Sequence, residues 1–238
     1  MFYRIAFFIL ICSTGLSVQA QNQQSGWLAT FNTFRLNPSF SMHLDAQLRS
    51  TDALEHVQTF LLRPGINYHF NKKFSSTLGY AFVHNRRSSG TITGYVTEHR
   101  IWEQVLFSHK WLMVSTSHRL RLEQRFLPVT TITNNELKVT DRVTAQRLRY
   151  FMRNLVPLQN KNAFTKGWFA ALQNEIFLNV TNKDAVNGKV FDQNRFYAAV
   201  GYRMGKIDLE AGYLNQYTKT VSSTLTNHIV QLAVYKRL

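Results

Sequence analysis

Cysteine is almost absent from this 238-residue sequence, since Cys12 is the only one. It lies inside the apolar stretch Ile5–Leu16, and Ile11 precedes it where a lipoprotein signal requires a small residue. We therefore expect no lipid attachment at this position. A chain that begins near residue 21 has no thiol, which excludes disulfide bonds, thiolate catalysis and cysteine metal sites.

Long hydrophobic runs are also lacking. Ile5–Leu16 is shorter than the ~20 residues of a spanning helix. With Arg4 before it and Ser17-Val18-Gln19-Ala20 after it, the stretch is typical of an export signal, although an N-terminal anchor helix is an alternative. We expect residues 1–20 to be removed and residues 21–238 to form one domain. Because no later segment approaches ~18 continuous apolar residues, any membrane-spanning part must consist of strands that close on themselves.

Acidic residues are few, with 13 Asp and Glu against 28 Lys and Arg, and the formal net charge is +15. Such a balance raises nucleic acid, anionic lipid or anionic polysaccharide as partners. The basic residues are dispersed, however, with no run of five or six. We interpret most arginines as paired within the fold, and we expect no nucleic-acid partner.

Catalytic and metal-binding motifs are missing as well. The eight histidines are scattered, without a His-Glu-x-x-His pattern, and the sequence has neither Gly-x-Ser-x-Gly nor a glycine-rich phosphate loop. We therefore predict no cofactor, no metal and no assignable catalytic residue. An enzyme that modifies lipid or lipopolysaccharide remains the alternative function, and it would need a serine, a histidine and an orienting partner brought together.

What the sequence has is alternation of apolar and polar residues in runs of roughly ten, a spacing typical of strands that span a membrane. Successive strand residues point to opposite sides. In the clearest run, one face carries Leu112, Val114, Thr116, His118, Leu120, Leu122, Gln124 and Phe126, and the other carries Met113, Ser115, Ser117, Arg119, Arg121, Glu123 and Arg125. One face is apolar and the other charged, which behind an export signal predicts a closed β-barrel in the outer membrane of a Gram-negative bacterium.

Eleven candidate strands follow from this periodicity and from turn signals. They are Gly26–Leu36, Phe40–Arg49, His56–Phe70, Phe74–Asn85, Glu98–Phe107, Trp111–Phe126, Asp141–Val156, Trp168–Val180, Phe191–Met204, Ile207–Tyr217 and Thr226–Leu238. We predict an all-β, single antiparallel up-and-down transmembrane barrel of 10–12 strands. Twelve is preferred because bacterial barrels have even strand numbers, so Gly26–Leu36 does not fit. We also expect Pro64-Gly65 to break the third run.

The connections alternate in length. Short ones follow Phe70, Phe107 and Met204, which suits periplasmic turns. Longer ones, Arg86–Thr97 and Pro128–Thr140 among them, suit outer loops.

Aromatic residues fall near several expected strand ends. We assign Trp27, Trp102, Trp111 and Trp168 to the aromatic girdles of a membrane barrel. Glu103 shares the outer phase with Ile101 and Val105, where a carboxylate is unfavourable. We expect either that a bulge near Trp102 turns it inward or that it lies near the rim.

Several blocks carry a family resemblance. They are Glu98–Gln104, Arg119–Phe126, Arg147–Tyr150, Asn174–Phe177, Phe191–Arg195, and Gly212-Tyr213 with Gln216. In these blocks the sequence resembles a family of Gram-negative outer-membrane barrels catalogued only as a domain of unknown function, over nearly all of the chain after residue 20. The resemblance implies a barrel and an outer-membrane location, and it implies no reaction, cofactor or catalytic residue.

The candidate site is a set of charged residues on the predicted inward faces of neighbouring strands. It comprises Glu98, Arg100, Arg119, Arg121, Glu123, Arg125, Arg147, Arg149, Arg153, Glu175, Arg195, Arg203, Asp208 and Glu210. Two interpretations compete: a charged plug that makes the barrel rigid, or a narrow anion-favouring passage or ligand cavity. We expect a monomer in contact with outer-membrane lipid and lipopolysaccharide, with a small anionic solute as ligand. A soluble secreted barrel that binds anionic polymers is a further alternative.

Overall fold

A computed structural model describes residues 20–51, 54–159 and 164–238. Residues 1–19 of the expected export signal lie outside this range. The strands are β1 (Ala20–Arg35), β2 (Phe40–Thr51), β3 (His56–His69), β4 (Phe74–Ser89), β5 (Ile92–Trp111), β6 (Val114–Thr133), β7 (Glu136–Pro157), β8 (Lys166–Thr181), β9 (Phe191–Met204), β10 (Ile207–Lys219) and β11 (Thr224–Arg237). Among the described residues, no helix has the length and apolar character needed to cross a membrane.

The eleven strands close into one barrel, so the preference for twelve was wrong. Consecutive strands pair antiparallel, and β1 closes the barrel by pairing parallel with β11, where Leu28 lies opposite Leu232. An even number is required only when every neighbouring pair is antiparallel. The parallel pair of β1 with β11 allows an odd number of strands. The strand predicted at Gly26–Leu36 is therefore β1, and it begins six residues earlier, at Ala20.

The expected loops Arg86–Thr97 and Pro128–Thr140 are instead extensions of strand pairs. β4 and β5 continue to a turn at Gly90-Thr91, and β6 and β7 continue to Asn134-Asn135. Both asparagines have positive φ (53° and 58°), as the tightest two-residue hairpins require. The polar extensions keep the backbone ladder but lack the alternation of apolar residues. Alternation alone therefore predicts strand ends that are too early.

The predicted break at Pro64-Gly65 is also absent, because β3 runs unbroken from His56 to His69. Pro64 lies opposite Leu44 in the ladder with β2. On the other side, the pairing with β4 resumes at Gly65 opposite Gly79. A proline lacks only its backbone N–H donor. The strand therefore continues through Pro64, because its other residues pair with β2 and β4.

Alternation along each strand is as predicted, with apolar side chains outward and most charged ones inward. On the outer face, Leu78 is 63% exposed and Leu172 is 49% exposed, whereas the inward Arg121 and Glu123 are each 1% exposed. The apolar part of the interior is limited. It consists of one cluster around Trp27, Phe169, Tyr197 and Ile229 and a smaller one around Trp102.

The girdle assignment is wrong for Trp27 and Trp102. Trp102 is fully buried at the middle of β5, and Trp27 is 6% exposed. Trp102 shares the even phase of Glu98 and Arg100, which directs it into the bore. Glu103 lies on the outer face, without a register shift in either ladder of β5. Gln124 Nε2 donates to its Oε1 over 3.0 Å, so a neighbouring amide rather than a bulge accommodates it.

Candidate functional site

Glu123 is the centre of the charge network in the bore. Arg147 Nη2 lies 2.7 Å from its Oε2, and Arg149 Nη1 donates to its Oε1. Arg100 Nη1 and Arg121 Nη1 lie farther away, 3.6 and 3.8 Å from its carboxylate oxygens. Strand periodicity on β5, β6 and β7 places these side chains at one level, so that one buried carboxylate faces four guanidinium groups.

Other carboxylates extend the network and form separate pairs. The remaining ion pairs of the bore are Glu98 with Arg100 and Arg125, Glu175 with Arg119 and Arg149, Asp192 with Arg147, Asp45 with Arg63, Glu210 with Arg153, and Asp208 with Arg203 and Arg237. The pairs of Glu98, Glu175 and Asp192 join Glu123 through shared arginines. Among the described residues, no ion pair links the pairs of Asp45, Glu210 and Asp208 to this central network.

All fourteen residues of the predicted set point into the bore, and thirteen of them lie in ion pairs. The exception is Arg195, which has no ion pair with any carboxylate among the described residues, although Glu175 lies opposite it in the ladder. Glu175 instead binds Arg119 and Arg149.

Five charged residues of the bore were not in the predicted set: Asp45, Arg49, Arg63, Asp192 and Arg237. The alternation along β2 carries the signal for Asp45 and Arg49, which share a phase opposite Leu44 and Leu48. Asp192 has no such signal, because the β8–β9 register shifts beside it and turns its side chain toward Arg147. Such a shift depends on the pairing of two strands and is not visible in either sequence.

The bore contains more guanidinium groups than carboxylates. On the described residues, the arginines are Arg49, Arg63, Arg100, Arg119, Arg121, Arg125, Arg147, Arg149, Arg153, Arg195, Arg203 and Arg237, against the seven carboxylates Asp45, Glu98, Glu123, Glu175, Asp192, Asp208 and Glu210. The bore therefore has a positive potential that its own acids do not balance.

That potential is concentrated at a small cavity of about 160 Å³, here called the arginine pocket. Its lining consists of Arg49, Arg63, Arg100, Arg147, Arg149 and Arg195 with Thr59, Leu61, Val83, Asn85, Phe177 and Gln193. The lining has six arginines and no carboxylate. Four of the arginines also line a cavity of about 430 Å³, here called the cup, whose rim includes Thr33, His69 and Arg237 at the short-turn end of the barrel.

Two arginines of the pocket are held by rings and amides rather than by acids. The guanidinium carbon of Arg49 lies 3.9 Å from the Trp27 ring centroid, and its Nη2 donates to Gln47 Oε1 over 2.6 Å. Arg195 lies 5.0 Å from the same ring, and turning the Gln193 amide places an acceptor oxygen 3.1 Å from its Nη2. Cation–π contacts hold a guanidinium in place but leave its charge uncompensated.

The arrangement suits a bound anion. A guanidinium presents a planar fork of donors that matches a carboxylate or a phosphate. Arg49 and Arg195 keep donors that no acid of the described residues occupies, and both line the arginine pocket.

A serine and a histidine also meet at the short-turn end of the bore, which the sequence did not predict. Ser41 Oγ lies 2.8 Å from His69 Nε2, and Asn67 Nδ2 donates to the same hydroxyl over 2.9 Å. Ser41 is fully buried, and no carboxylate of the described residues forms an ion pair with His69. The pair satisfies buried polar groups, and the serine is not accessible for nucleophilic attack.

A family model described as a protein of unknown function, DUF2490, matches residues 24–227. The chain belongs to this family. The match touches every strand of the barrel and contains the whole lining of the arginine pocket, and it confirms membership of a domain of unknown function. Neither a curated protein nor a solved structure matches the chain.

Proposed function

We propose that this protein is an outer-membrane β-barrel that binds a small anion at the arginine pocket, with the central ion-pair network closing the bore as a plug. The observation that carries the proposal is the pocket itself, lined by six arginines and no carboxylate. The protein then acts as a ligand-binding barrel rather than as an open channel.

The distribution of side chains supports the membrane location. The outer face is apolar and the bore is charged, which is the reverse of a soluble barrel with an apolar core. The shortest strand, β2, has 12 residues, which exceeds the ~9–11 that a tilted spanning strand needs. We place the short turns and the C-terminus on the periplasmic side, so that the cup opens toward the periplasm.

The packing of the network supports a plug. Glu123, Arg121 and Arg149 are at most 3% exposed. Opening a passage would separate buried charges from their partners, at a cost of about 3–5 kcal/mol for each broken buried pair.

Charge supports an anion as the ligand. Arg49 and Arg195 lie beside Arg149 and Arg147 around one cavity, and like charges at short range in a partly dry bore repel one another. A bound carboxylate or phosphate offsets that repulsion and fills the free donors. A cation or a neutral solute offers no such gain.

Calorimetric titration of the refolded barrel with inorganic phosphate tests the proposal. We expect saturable binding to one site, weakened by about tenfold or more in Arg195→Gln, because one charge-assisted contact contributes about 1.5–3 kcal/mol. Lys206→Gln in the exposed β9–β10 turn removes the same charge outside the bore and should bind as wild type does. Absence of phosphate binding, or equal loss in both variants, contradicts the proposal.

A further inference from the structure

In the part of the chain that the structure describes, the backbone ladder between β1 and β2 covers only part of β1. β1 pairs with β11 from Ala20 onward but with β2 only from Trp27, which lies opposite Arg49. At the next residue of β2 the register with β3 shifts. The Ser50 hydroxyl replaces the missing ladder, since Gly26 N donates to Ser50 Oγ over 2.8 Å and Ser50 Oγ donates to Gly26 O over 3.1 Å. Gln23 Nε2 also donates to Thr51 Oγ1, so side chains rather than the backbone ladder bridge the two strands here.

An apolar groove of about 690 Å³ lies over this split, here called the seam groove. Its volume is within the ~300–1,000 Å³ of ordinary ligand pockets. The walls are formed mainly by Leu28, Leu48, Leu54, Val57, Val230 and Leu232. Gly26 permits this shape, because a Cβ there would lie 2.4 Å from Leu54 Cδ2.

The inner end of the seam groove is different in character, since Trp27 and Arg49 line both the groove and the cup. Trp27 and Arg49, which lie opposite each other in the ladder, therefore lie between the groove and the cup. Arg49 reaches the groove bound to Gln47 and stacked on Trp27, and no carboxylate of the described residues forms an ion pair with it. The groove therefore has apolar walls and one uncompensated cation at its inner end.

We propose that the seam groove binds one single-chain anionic amphiphile, with its acyl chain along the leucine and valine walls and its anionic head at Arg49. The inference rests on the proposed function, because the walls face lipid only if the barrel spans a membrane. A cation next to lipid is unfavourable unless it is paired, and an anionic head supplies the pair. Glu55 also lines the groove, and its negative charge repels an anionic head, so Arg49 is the favourable position for the head.

Arg49 also joins the groove to the bore, because it lines the seam groove, the cup and the arginine pocket. An anionic head at Arg49 therefore lies next to the arginine pocket.

Quenching of Trp27 by a brominated chain tests the inference. The variant Trp111→Phe/Trp168→Phe, which lacks the two tryptophans exposed on the outer face, is placed in phosphatidylcholine nanodiscs. Adding Trp27→Phe to this variant leaves Trp102 alone, so its fluorescence can be subtracted. We expect 9,10-dibromostearate to quench Trp27 with saturation near one molecule per barrel. Its methyl ester, which has the same chain without the charge, should need about tenfold more for the same quenching.

Two variants assign the binding to the groove. In Arg49→Gln the acid should need the same concentration as the ester for the same quenching, because the substitution removes the cation that lines the inner end of the groove. Val230→Phe should weaken saturable quenching by narrowing the groove, and Val105→Phe on the opposite outer face should not. Equal, non-saturating quenching by acid and ester, or an unchanged response in Arg49→Gln, overturns the inference, even if Val230→Phe fails to fold.

Phosphate titration of the same nanodiscs separates this inference from the proposed function. Phosphate binding without saturable dibromostearate quenching rejects the seam groove and leaves the arginine pocket supported. Saturable quenching without phosphate binding rejects the arginine pocket as an independent anion site and leaves the groove supported.

Discussion

Arg121 lies over the indole of Trp102, with its guanidinium carbon 4.1 Å from the ring centroid. Gln104 Oε1 accepts from both Nε and Nη2 of this arginine, at 3.0 and 2.7 Å. Its Nη1 has no hydrogen bond and lies 3.8 Å from Glu123. A ring and an amide thus position an arginine of the central network, so the network depends on the packing of Trp102 as well as on its acids.

Gly79→Ala tests this dependence. A Cβ at Gly79 would lie 2.3 Å from Trp102 Cζ2 and 2.7 Å from the Pro64 carbonyl oxygen, so the indole must move away from Gly79 and its contact with Arg121 changes. We expect a loss of about 1–3 kcal/mol in the free energy of unfolding, as for other overpacked cores. Urea unfolding in detergent, followed by tryptophan fluorescence, measures it.

Gly94→Ala is the matched control. A Cβ at Gly94 meets Leu137 at 3.4 Å, which is ordinary contact. We expect stability within about 0.5 kcal/mol of wild type, as for substitutions away from special features. Equal stability of Gly79→Ala and Gly94→Ala would contradict the role given to Trp102.

Glu123→Gln should be the most destabilising of the charge-removing variants. The substitution leaves Arg147 and Arg149 without a shared acid while Arg100 and Arg121 remain close by. Breaking a buried pair in this way costs about 3–5 kcal/mol. The temperature at which the folded band disappears from a detergent gel should fall clearly below that of wild type.

Glu103→Gln provides the comparison, because Glu103 lies on the outer face and accepts a hydrogen bond from the neighbouring Gln124 amide. In lipid we expect a small gain in stability, since the substitution removes a carboxylate from the apolar face. A loss similar to that of Glu123→Gln would mean that the inner and outer faces are not distinguished as described.

Arg195→Gln should act in the opposite direction on stability. Arg195 has no ion pair to lose, and its removal relieves repulsion from the other arginines of the pocket. Without ligand, we expect the free energy of unfolding of Arg195→Gln to exceed that of wild type by roughly 1 kcal/mol. On adding phosphate, its melting temperature should rise less than that of wild type, because ligand stabilisation depends on affinity. Thermal unfolding with and without phosphate measures both effects. Destabilisation comparable to Glu123→Gln would assign Arg195 to the plug.

Planar bilayers distinguish a plug from a pore. With the central network intact, we expect no steady conductance from the inserted barrel. Glu123→Gln, which loosens the network and leaves more positive charge, should show transient anion-favouring openings. A steady anion current through the wild-type barrel would contradict the plug.

Much of the barrel is predictable from the sequence because strand phase is a local property. The alternation around Arg121 and Glu123 is enough to place both in the bore, and the same rule gives the inward phase of Arg149, Glu175 and Arg195. The phase of Trp102 was equally available, but its aromatic character suggested a girdle. For Trp102, position in the strand decides the face on which the side chain lies, and aromatic character does not.

Other features depend on pairing between strands and have no local signal. The parallel pairing joins the first and the last strand of the barrel, β1 and β11. The residues of either strand alone do not reveal it. The inward turn of Asp192 comes from a register shift between β8 and β9. The arginine pocket likewise depends on which arginines form ion pairs. Glu175 pairs with Arg119 and Arg149 on other strands rather than with Arg195.

The central claim is that apolar side chains contact lipid while their charged neighbours line the bore, and adjacent residues of β8 test it most directly. Leu172 is 49% exposed on the outer face, and Gln173 lines the cup. With Cys12 as the only native cysteine, Leu172→Cys and Gln173→Cys can each carry one nitroxide in a chain that starts at residue 21. In bilayers we predict that the label at 172 relaxes with oxygen and the label at 173 with a water-soluble nickel chelate. Preferential relaxation of both labels by the nickel chelate would contradict the account.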